Sequence, residues 1–95
     1  MLFKIITTTN ARKDIEEAIA WENRKQPDLG LRFLNELDEK FDHLAVTPKM
    51  GSVRYENVRL TSTQTFKYNI HYLVSDENSS VYILRVLHRY RKPIY

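Results

Sequence analysis

The apolar residues of this chain change their period once, at Pro48–Ser52, and that change constrains the fold more than any other feature. Before it, Leu29, Phe33, Leu34, Leu37, Phe41 and Leu44 recur at steps of four, one, three, four and three, forming one wide helical stripe. After it, Phe66, Tyr68, Ile70, Tyr72 and Val74 alternate with Lys67, Asn69 and His71, the period of a half-buried strand. Helices therefore precede most of a sheet.

The remaining elements fit around this boundary. Phe3, Ile5 and the threonines at 7–9 predict a first strand at about 2–8. Asn10 is a suitable cap for a first helix, with Asp14, Glu16 and Glu17 early and Arg24 and Lys25 at its end, as the helix dipole favours. Ala11, Ile15, Ala18 and Ile19 make its apolar stripe, Trp21 lies on the shoulder, and Gln26-Pro27 closes it. Asp28 can cap the second helix, and Thr47-Pro48 followed by Gly51 ends it. The two helices should form an antiparallel hairpin.

In the second half, Val53 and Tyr55 share one parity and Val58 and Leu60 the other, so a bulge or tight turn is expected near Glu56-Asn57. Asp76–Ser79 reads as a hairpin turn. Val81–Leu87 is apolar on both parities apart from Arg85, which predicts a strand near the middle of the sheet. The expected class is α+β: an N-terminal strand, a helical hairpin, then a three-strand antiparallel meander (β-α-α-β-β-β), with helices on one face and the other partly open.

A chain of 95 residues makes one domain, 1–95, and buries roughly 60–70% of its unfolded surface, enough for a core without staples. It has no cysteine, which excludes disulfides and thiolate chemistry. No apolar run approaches the roughly 20 residues of a membrane helix, and the first six residues do not make a signal peptide. A soluble cytoplasmic protein without membrane association is expected. Residues 1–47 carry seven Lys/Arg against nine Asp/Glu, and residues 48–95 carry eight against three. Such a split points to a basic face for nucleic acid or an acidic protein segment.

Most of that charge lies at the end of the chain, where Arg85, His88, Arg89, Tyr90, Arg91, Lys92 and Tyr95 follow one another without an acidic residue. This stretch is either a solubilising terminus or a surface that meets a polyanion. No Gly-rich phosphate loop, no HExxH spacing and no strand-to-helix nucleophile elbow is present, so neither cofactor nor metal is implied. His43, amid helix charges, reads as a surface residue. His71 opposes the aromatic parity of its strand and can line the open face. His88, among Arg85, Arg89 and Arg91, is either a structural strand-end residue or a functional one, and its cationic neighbours disfavour the imidazolium. Arg59 is either an outward charge or a clamp for a phosphate or carboxylate.

The ordered set Ala11-x-x-Asp14-Ile15, Phe33-x-x-x-Leu37, Pro48-x-x-Gly51, Arg59, Phe66–Tyr72 and Ile83–Pro93, ending in Val-Leu-His-x-x-Arg-x-Pro, resembles the RelE/ParE superfamily of type II toxins. It is most similar to the ParE-like, plasmid-stabilisation branch. The resemblance implies a growth-inhibiting bacterial toxin, masked on its basic surface by a cognate antitoxin, either as a homodimer or as a toxin–antitoxin hetero-oligomer. RelE-like members cleave mRNA on the translating ribosome, whereas ParE-like members poison DNA gyrase. Ribonuclease members often carry an Arg in an Arg-Leu-x-Tyr segment, and this chain has Asn69-Ile70-His71-Tyr72 there. The expectation is therefore a gyrase-directed toxin, with Arg59, Arg85, His88, Arg89, Tyr90, Arg91 and Lys92 as its effector or antitoxin surface. Metal-independent RNA cleavage by His71, His88, Arg85 and Arg89 is the enzymatic alternative. A degenerate fold that only binds its antitoxin is the third.

Overall fold

The structure, a computed structural model, describes residues 2–90. Its elements are β1 (Lys4–Thr7), α1 (Thr9–Lys25), α2 (Leu29–Val46), β2 (Ser52–Tyr55), β3 (Val58–Ser62), β4 (Tyr68–Ser75) and β5 (Ser80–His88). The strands form one sheet in the order β1-β5-β4-β3-β2. The class is the expected α+β arrangement. The stretch whose parity slips is a hairpin rather than one strand, so the meander has four strands. Glu56 and Asn57 both take positive φ, 41° and 69°, the backbone of a two-residue turn whose twist matches the flanking strands.

β1 joins the sheet parallel to β5, with Lys4 opposite Ser80 and Thr7 opposite Ile83. It is shorter than the predicted 2–8, because Thr8 leaves the sheet to cap α1 in place of Asn10. The Thr8 Oγ1 accepts from the Ala11 amide at 3.2 Å and donates to the Ile83 carbonyl at 2.8 Å, serving helix and strand together. Asn10 falls inside the first turn. Asp14 consequently sits in the second turn, beyond the reach of the dipole argument. Asp28 occupies the cap position of α2, but its side chain makes no capping bond. Asn23 of α1 supplies one instead, its Oδ1 accepting from the Gly30 amide at 2.8 Å.

Phe33, Leu37 and Leu44 of α2 meet Tyr68, Ile70 and Tyr72 of β4 and Val81, Ile83 and Val86 of β5 in the core, with Ala11 and Ala18 of α1. The apolar character of β5 on both parities has a cause in the pairing with β4. The register shifts between His71 and Tyr72, opposite Arg85 and Ile83, and leaves Leu84 as an extra residue. The bulge lets Ile83 and Val86 both face the helices although their parities differ. Among the described residues no helix is long and apolar enough to cross a membrane.

Candidate functional site

Side chains directly opposite each other in an antiparallel pair share a face of the sheet. Tyr72, Ile70 and Tyr68 face the helices, so His71, opposite Arg85, and Asn69, opposite Leu87, belong to the open face. Tyr55, from the edge strand β2, reaches over β3 until its hydroxyl lies 3.2 Å from His71 Nδ1. Tyr55, His71, Arg85 and Leu87 line a hollow of about 360 Å³.

Arg85 is already engaged. Its Nε donates to Asp14 Oδ2 at 2.7 Å and its Nη2 to Oδ1 at 3.0 Å, a fork-on-fork pair. Asp14 Oδ2 also accepts from the Val86 amide at 3.0 Å. This amide lies on the stretch of β5 that β1 no longer covers, so one carboxylate both closes a strand edge and holds a guanidinium. The bond to Asp14 raises the Arg85 pKa further above its usual value. Burial first, and then the Arg85 charge, lower the His71 pKa below its usual 6.5, with Asp14 opposing. His71 is therefore a neutral imidazole at neutral pH.

The other expected residues lie elsewhere. Arg59 Nη1 donates to the carbonyl of Gly51 at 2.7 Å and to that of Lys49 at 3.4 Å, fastening the α2–β2 connection. His88 pairs with Tyr68 on the helix side of the sheet, its ring edge-on to that tyrosine with centroids 5.0 Å apart. Its Nδ1 accepts from the Tyr90 amide at 3.2 Å. The Arg89 amide bonds the Lys67 carbonyl at 2.8 Å, which extends the β4–β5 pairing by one step. Tyr90 is 69% exposed, and Lys67 Nζ lies 5.5 Å from its ring centroid. Arg91 and Lys92 lie outside the described residues. His71 and Arg85 thus come together, whereas His88 and Arg59 are placed apart from them.

The sequence reading assigns Asp14 to the helix dipole and Tyr55 to a strand without the contacts they make, and gives Glu22 no part. Glu22 is 3% exposed, and its carboxylate accepts from the Tyr68 hydroxyl at 3.0 Å. The signal was present in the spacing. Asp14 and Glu22 continue the Ala11–Ala18 stripe at helical steps, so two carboxylates stand on the buried face of α1.

The family model described as the ParE toxin of the type II toxin–antitoxin system parDE matches residues 5–93. The chain belongs to the ParE toxin family. The match spans both helices and every strand but the first residue of β1. No individual curated protein matches it by sequence. Among solved structures, a chain of the RelBE2 toxin–antitoxin complex of Mycobacterium tuberculosis superposes with a TM-score of 0.70 at 28% identity, covering 94% of this chain and 100% of that one. The chromosomal ParDE system of P. aeruginosa gives 0.77 at 16% identity, covering 92% and 96%. The intact RelBE complex of E. coli gives 0.72 at 17% identity, covering 94% and 99%; these last two bear on the fold alone. As a member of the RelE/ParE superfamily, this ParE-family chain is the toxin component of a type II module.

Proposed function

We propose that this ParE-family toxin arrests growth by binding a protein target, DNA gyrase, rather than by cutting RNA, and that a cognate antitoxin neutralises it. The bidentate Asp14–Arg85 pair carries the choice. Cleavage through a 2′-hydroxyl needs a base, an acid and unpaired cations around the phosphorane-like state. Arg85 is matched by an internal carboxylate, Arg59 is turned to backbone carbonyls, and His71 and His88 stand on opposite faces. Asn69, at the position where ribonuclease relatives often carry Arg, adds no charge. Arg89, Tyr90 and the following Arg91 and Lys92 are then a docking surface for the target or the antitoxin.

Purified protein incubated with gyrase and plasmid should reduce supercoiling or trap a cleaved complex. Induced cells should show DNA breaks while their mRNA remains intact. Normal supercoiling together with codon-positioned cuts in translated message would replace this reading with the ribosome-dependent ribonuclease. An antitoxin bound through exposed charges should dissociate more readily as salt rises.

A further inference from the structure

The open face has the components of a phosphate site, an arginine beside a neutral histidine and a tyrosine, yet its charge is cancelled from behind. Asp14 approaches past the uncovered edge of β5 and occupies the Nε and Nη2 positions of Arg85. These two nitrogens form the fork that a phosphate would take. Asp14 is 9% exposed and Arg85 more so, so the carboxylate is the fixed member of the pair. Glu17, one turn further along α1, adds its field to the same guanidinium. With Arg85 neutralised, the hollow between Tyr55, His71 and Leu87 offers two rings and an aliphatic side chain.

We propose that Asp14 sets the target class of this toxin: by occupying the Arg85 fork from α1, it withholds from the open face the cation that nucleic-acid phosphate would need. Asp14 is in these terms a positioning residue, acting through Arg85, and the sheet face beneath it is a latent phosphate site. The inference deepens the protein-target reading above and rests on it only for its biological meaning.

The substitution Asp14→Asn isolates the effect, because the amide oxygen can still accept the Val86 N–H while the negative charge is removed. Binding of a mixed-sequence single-stranded RNA, followed by fluorescence anisotropy across a salt series, should tighten on the order of tenfold at low salt. Its log–log salt slope should steepen by about 0.7, the value for one added phosphate contact on a single strand. Adding Arg85→Gln to Asp14→Asn should restore the wild-type slope, which a purely structural role of Asp14 would not produce. The Arg85 Nε–H resonance of the wild-type protein should not move as RNA is added. An unchanged slope in a folded Asp14→Asn protein, or a shift of the Arg85 resonance when RNA is added to the wild-type protein, would overturn the proposal. If Asp14→Asn does not fold, a shift of the Arg85 resonance in the wild-type protein overturns it and a static resonance supports it. Failure to affect gyrase would sink the protein-target reading and leave this titration standing.

Discussion

A carboxylate is expensive to bury unless its oxygens are occupied, and α1 buries two. Asp14 receives three N–H groups, from Arg85 Nε, Arg85 Nη2 and the Val86 amide. Glu22 receives the Tyr68 hydroxyl and the Lys25 ammonium. His71 lies beside the Asp14–Arg85 pair on the open face as a neutral imidazole, and it gives a pH dependence. Burial, and then Arg85, hold the folded-state pKa below 6.5, the value the unfolded chain should approach. Between the two values the unfolded state binds more protons, so stability rises with pH there. The contribution is fully present above about 6.5 and is lost as pH falls through the folded-state value. Melting temperatures recorded from neutral to mildly acidic pH should therefore decline, and His71→Gln should flatten that part of the profile. Equal slopes in the two proteins would contradict the assignment.

At the scale of elements, the joints are made by side chains borrowed from a neighbour. Thr8 fastens the β1–α1 joint to β5, and Asn23 of α1 caps α2. The α2–β2 joint converges on Gly51, whose amide donates to the Tyr72 hydroxyl at 2.9 Å while its carbonyl accepts from Arg59. A Cβ placed there would meet the Leu60 carbonyl oxygen at 2.5 Å and the Tyr72 hydroxyl at 2.8 Å. The Leu60 atom is backbone, so the β2–β3 hairpin would have to move. Its φ is not positive, which makes the constraint one of space rather than of backbone conformation. Gly51→Ala should lower unfolding stability in urea by about 1–3 kcal/mol, the usual range for forced overpacking. A loss below about 0.5 kcal/mol, the scale of ordinary surface changes, would show that the hairpin yields freely.

For the whole molecule, β5 is the element on which the others meet. It pairs with β1 on one side and β4 on the other, and α1 packs along it. β2 lies at the opposite edge, with all four residues exposed. Opening β5 requires breaking most of the fold, whereas β2 can separate alone. Native-state hydrogen exchange should find the slowest amides in β4 and β5, near the global unfolding free energy, and much faster exchange along β2. Equal protection of β2 and β5 would mean that the sheet opens only as a unit.

The sequence by itself determined the elements that local forces govern. Helical and strand periods placed α1, α2, β4 and β5, while Pro27, Pro48 and the Asp76–Ser79 turn separated them. The interior position of β5 in the sheet was also anticipated, although its apolar residues on both parities follow from the Leu84 bulge and not from cover on both faces. Only the tertiary structure decided that β1 pairs parallel to a strand some 76 positions away, that Leu84 is the extra residue of a bulge, and that Asp14 and Glu22 turn inward. It also separated His71 and Arg85 from His88, although the tail reads as one cationic cluster. The reason is physical: period and turn chemistry act over a few residues, whereas the partner of a buried charge depends on which edge packing leaves uncovered. Asp14 meets Arg85 because β1 ends at Thr7, and nothing local to either residue specifies that meeting.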